Sequence, residues 1–76
     1  MENLIEFIAK KLVEHPEDVE IRKIESEGDQ NYELRVNESD MGRVIGRSGR
    51  TAKAMRTVLA AAASKSNIHA NLEIVE

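Results

Sequence analysis

The stretch Val44-Ile45-Gly46-Arg47-Ser48-Gly49-Arg50-Thr51-Ala52-Lys53-Ala54-Met55 is where helical patterning breaks, restarts and turns basic. Met41, Val44 and Ile45 sit at i, i+3 and i+4, which predicts one short helix of about two turns. Gly46 stops it. A longer helix is expected to restart after Gly49 and run to about Lys65, with Ala52, Met55, Leu59 and Ala62 as its buried stripe. So tight a turn between helices needs backbone angles that glycine tolerates without steric cost. The missing Cβ atoms also leave room for an extended chain to lie against the backbone. The first amides of the second helix are unpaired and carry partial positive charge, which favours a phosphate there. Arg47 and Arg50 stand on either side of the loop, Ser48 offers a small hydroxyl, and Lys53 follows one turn later. Ile45 offers an apolar wall for a base, which is expected to pack in the groove between Ile45 and the second strand.

Upstream, Leu4, Ile5, Ile8, Leu12 and Val13 keep helical spacing, with Asn3 as the expected cap and Glu6 completing a loose capping box. His15-Pro16 ends that helix, because the residue before proline disfavours helical angles. Val19 and Ile21 alternate with charged residues and predict a strand; Ile24 breaks the parity, so a bulge or the strand end is expected near Lys23. Glu27-Gly28-Asp29-Gln30 reads as a turn. Tyr32, Leu34 and Val36 give a second strand, antiparallel to the first. Ser39 or Asp40 is the expected cap of the short helix. Downstream, Asn67 is the expected stop of the long helix, and Ala70, Leu72 and Ile74 mark a last strand.

The order is therefore α-β-β-α-α-β. Two helices between the second and third strands make a right-handed crossover that favours parallel pairing. The expected fold is α+β, a mixed three-stranded sheet with three helices on one face, in one domain spanning residues 1–76. A chain this short buries only about 60% of its unfolded surface, so its core is thin.

The net charge of −3 argues against nucleic acid only until its distribution is read. Residues 1–40 hold twelve acids and five bases. Residues 41–69 hold six bases (Arg43, Arg47, Arg50, Lys53, Arg56, Lys65) and no acid. A phosphate responds to exposed charges within about 10 Å at moderate salt, so an acidic body carries one basic segment. The absence of cysteine excludes disulfides and thiolate chemistry and suits a reducing cytoplasm, the expected location. The longest apolar run, Val58 to Ala63, is too short to span a membrane, and no secretory leader is visible.

The glycine pair lacks the Gly-Lys-Ser/Thr of a Walker loop and the G-x-G-x-x-G of a dinucleotide fold. With its flanks, however, the run Val44 to Lys53 resembles the signature of the KH domain, whose G-x-x-G loop clamps the backbone of about four nucleotides. The element order resembles the bacterial type II arrangement, and a lone KH domain of this size resembles the KhpA family over the whole chain. That resemblance implies cytoplasmic binding of single-stranded RNA as a post-transcriptional regulator or RNA chaperone, self-association, and pairing with KhpB, a larger KH-containing protein. Carried onto this chain, the RNA-contacting set is Arg43, Ile45, Gly46, Arg47, Ser48, Gly49, Arg50 and Lys53. Ala52 and Met55 depart from the family, which more often has isoleucine there. Only two aromatics, Phe7 and Tyr32, are present, which disfavours the stacking modes of RRM and OB modules.

His15 and His69 have no partner at ligand spacing, so no metal and no cofactor is expected. Glu17, Asp18 and Glu20 read as a solvated acidic cluster, and Ser48 has no evident general base, so no enzyme or small-molecule substrate is assigned. The run Leu59-Ala60-Ala61-Ala62-Ala63-Ser64 reads either as simple helix propensity or as a homodimer seam. Val58 and Ala61 would lie at that seam. Single-stranded DNA and a pure protein-interaction role are the rivals to RNA.

Overall fold

A computed structural model describes residues 2–75. Helix α1 spans Glu2–Leu12, strands β1 and β2 span Glu20–Ser26 and Asp29–Arg35, helices α2 and α3 span Met41–Ile45 and Arg50–Ser64, and β3 spans His69–Val75. Short 3-10 turns occupy Pro16–Asp18, Glu38–Asp40 and Arg47–Gly49. The expected element order is the observed one. β1 pairs antiparallel with β2, β2 pairs parallel with β3, and β2 is the central strand.

The core lies between the sheet and the helices. Ile5 and Ala9 of α1, Val44 of α2, and Met55 and Leu59 of α3 pack with Tyr32, Leu34, Val36 and Leu72. Each buried Ile, Val, Leu or Met side chain among these contributes about 1.5–3 kcal/mol relative to exposure. On α3 the buried positions are Ala52, Met55, Leu59 and Ala63. The stripe thus ends on Ala63 rather than the expected Ala62, because steps of three, four and four residues follow the 3.6-residue turn more closely along the sheet.

Four local expectations need correction. Helix α1 already includes Asn3, so Asn3 does not cap it; Ile5 and Ala9 bury the inner face of the helix against the core. β1 carries no bulge near Lys23, for its register runs unbroken from Glu20↔Arg35 to Ser26↔Asp29. Ile24 simply falls on the face away from the helices, opposite Asn31, and stays 41% exposed. The hairpin turn is only Glu27-Gly28, both at positive φ, which leaves Asp29 and Gln30 inside β2. That two-residue form matches the twist of the flanking strands. Finally, Asp40 precedes α2 without capping it. Asn37 caps the adjoining 3-10 turn by accepting the Ser39 amide at 2.9 Å. The Asp40 carboxylate, 1% exposed, turns instead to the chain leaving α1, accepting the Glu14 and His15 amides at 3.0 Å each.

Asn67 does end α3. It takes φ +55, and the Ile68 amide reaches back to the Ala63 carbonyl at 3.0 Å. This left-handed closure satisfies carbonyls that a helix end leaves free, and it starts β3 immediately alongside α3.

Candidate nucleic-acid interface

α2 ends at Gly46, whose amide donates to the Gly42 carbonyl at 2.9 Å. Gly46 then adopts φ +78, ψ +170, a region that side chains other than glycine do not favour. A Cβ built there would lie 2.2 Å from Thr51 Oγ1 and 2.8 Å from the Thr51 backbone nitrogen. The chain can therefore double back onto the start of α3 only through a residue without a side chain. Ser48 (φ +56) and Gly49 (φ +74) continue in left-handed geometry, and a Cβ at Gly49 would meet nothing within 4 Å.

This geometry decides which amides are available. Gly49 donates to the Gly46 carbonyl at 3.1 Å, and Arg50 donates to the Arg47 carbonyl. The Arg47 and Ser48 amides make no hydrogen bond among the described residues. Both residues are exposed. Arg47, Arg50 and Lys53 are exposed too and form no ion pair with a described residue. Ile45 is 38% exposed beside them.

Arg43 is placed differently. Its Nη2 donates to Glu14 Oε1, and its Nε lies 3.7 Å from Asp40 Oδ1. The basic segment is therefore partly neutralised by Glu14 and Asp40, and the Glu14 contact is one that a count along the sequence does not reveal.

Two clefts run along one flank of α3. Arg56, Leu59, Ala60, Ala70, Asn71 and Leu72 line one of about 250 Å³. The other, about 440 Å³, adjoins it and reaches the α3–β3 connection through Ala63, Ser64, Asn67 and Ile68. Arg56 bridges the two walls, its Nε donating to the Leu72 carbonyl at 3.1 Å. Lys53, Arg56 and Ala60 share this flank at i, i+3 and i+7.

The KhpA/KhpB KH-domain model matches residues 2–74. The chain belongs to that family. Among its relatives, the RNA-binding protein KhpA of Listeria monocytogenes is 51% identical over 76 residues, covering all of both chains. KhpA of Borreliella burgdorferi is 49% identical over 73 residues, 96% of this chain and 89% of its own. KhpA of Chlamydia caviae is 42% identical over 76 residues, all of this chain and 97% of its own. No solved structure matches the chain at a significant level.

Within this family fold, the loop residues come together as the sequence places them, with Ile45, Arg47, Ser48, Arg50 and Lys53 exposed around the two glycines. The strand beside the groove is another matter. From sequence, bases were expected to pack between Ile45 and the second strand. But β2 is central, with Tyr32 and Leu34 buried, and the strand bordering α3 is β3. Arg56, Ala60 and Ala70 consequently enter the candidate site. The signal for Arg56 was available in its three-residue spacing from Lys53.

Val58 and Ala61 are exposed, Val58 to 44%. They lie about 150° round α3 from the Arg56–Ala60 flank. His15, Glu17 and Asp18 bring their ligand atoms within 4.8 Å of one another. Asp18 already accepts from Asn37 at 2.9 Å, and His15 Nδ1 is 3.5 Å from Glu17. Among the described residues no helix is long and apolar enough to cross a membrane.

Proposed function

We propose that the protein binds single-stranded RNA in the cytoplasm, as a post-transcriptional regulator or RNA chaperone and not as an enzyme. Phosphates approach the Arg47 and Ser48 amides. Arg47, Arg50 and Lys53 supply the surrounding charge, and bases lie against Ile45 and along the α3–β3 cleft. The observation that carries the reading is a pair of exposed loop residues whose amides make no hydrogen bond among the described residues, beside three cations that form no ion pair with a described residue. Membership of a family whose relatives are named RNA-binding proteins supports it.

Replacing Arg47 and Ser48 together by Asp puts two negative charges on the phosphate path without touching the core. RNA binding should be lost while the thermal transition persists; undiminished affinity in a folded variant would refute the site. Matched RNA and DNA oligomers of one sequence distinguish RNA from single-stranded DNA.

A second reading rests on the outer face of α3. Ala54, Val58 and Ala61 are exposed at i, i+4 and i+7 and present little bulk. We read this face as a seam for self-association, or for pairing with a larger KhpB-like KH protein. It faces away from the cleft, so both functions fit on one helix. Two linked grooves would raise avidity for one RNA.

A further inference from the structure

We infer that Arg43 is a positioning residue that fastens α2 to the end of α1 and is not itself a ligand of the RNA. The inference deepens the loop reading and rests on it. Val44 is wholly buried, which sets the roll of α2. Arg43 and Ile45, one residue to either side, consequently project about 200° apart. Ile45 stands at the exposed loop side, and the Arg43 guanidinium reaches the acids beyond α1.

Those acids hold it there. Asp40 is almost fully enclosed, and a buried carboxylate is costly unless hydrogen-bonded and matched by a cation. It receives the Glu14 and His15 amides, and Arg43 is the cation within ion-pair distance among the described residues. The Glu14 carboxylate takes the other side of the same guanidinium. Drawing Arg43 onto a phosphate would strip Asp40 of its counter-charge and release the α1–α2 junction. Arg47, Arg50 and Lys53 form no ion pair with a described residue. The protein thus separates its cations into two classes, one that fixes the angle at which α2 enters Gly46 and one that meets the polymer.

The two roles differ in salt dependence. On single strands each phosphate contact contributes about 0.7 to the slope of log affinity against log salt. With a labelled oligouridylate as probe, Arg47→Gln should reduce the slope by about that amount, and Arg43→Gln should leave it at the wild-type value. In urea, Arg43→Gln and Glu14→Gln should each lower the unfolding midpoint, with the double variant no worse than the poorer single. A slope that falls for Arg43→Gln as it does for Arg47→Gln, or midpoint shifts that simply add, overturns the inference. An unchanged slope for Arg47→Gln would sink the loop reading instead, and the urea series would still decide the role of Arg43.

Discussion

Gly46→Ala is the substitution that tests the loop geometry most directly. Its Cβ would lie 2.2 Å from Thr51 Oγ1, 2.7 Å from Thr51 Cβ and 2.8 Å from the Thr51 nitrogen. The hydroxyl can rotate away, but the nitrogen belongs to the first turn of α3 and cannot move without it. Crowding of this kind costs about 1–3 kcal/mol. Holding a residue with a side chain at φ +78, ψ +170 adds about 1–3 kcal/mol. The sum, about 2–6 kcal/mol, compares with a whole stability of about 4–11 kcal/mol for a chain of this length. Each kcal/mol moves the thermal midpoint by about 4–8 °C in so small a domain, so a fall of at least about 8 °C is expected. Gly49→Asn is the companion. Its side chain enters open space, and asparagine tolerates the left-handed region, so its stability should stay within about 1 kcal/mol of wild type. Thermal unfolding followed by circular dichroism reads both. Equal midpoints for Gly46→Ala and wild type would show that the loop does not fold back onto Thr51 as described, and the account of its exposed amides would go with it.

Asp40→Ala removes the acceptor of two backbone amides and should destabilise by about 2–4 kcal/mol; a urea midpoint unchanged from wild type would show that those amides find water without loss. Glu27→Gly relieves a side chain held at φ +51 in the hairpin and should stabilise by about 1 kcal/mol, read by the same titration. Ala61→Asp places charge on the outer face of α3; sedimentation should show a loss of self-association with RNA affinity per chain retained, whereas a wild type that is already monomeric would dismiss the seam.

The fold was legible because its signals are periodic. Tyr32, Leu34 and Val36 at alternate positions, and Met55 and Leu59 four apart, place strand and helix without knowledge of neighbours. Glycines flanking a basic pair likewise mark the loop. What escaped depends on contacts distant in sequence. Asp40 looks like a helix cap until the Glu14 and His15 amides, in the chain leaving α1, are seen to take its carboxylate. Arg43 reads in sequence as one more cation of the loop set, and only the fold places Glu14 beside it. Ile24 looks like a register break because an apolar residue on the open face resembles a shift in parity. The error over which strand borders the groove came from topology: only pairing shows that β2 is central and β3 lies next to α3.

The parallel pairing of β2 with β3 has a consequence for how the molecule is made. Asp29 meets His69 across the sheet, so the partner of the central strand emerges only after both intervening helices during synthesis. The β1–β2 hairpin closes locally, but until residues 69–75 are released one side of β2 has no hydrogen-bonding neighbour and Leu72 is missing from the apolar interior. Closing so long a loop is slow relative to helix or hairpin formation. The nascent chain therefore passes through an interval with an open strand edge, and its safe arrival depends on how quickly that interval ends.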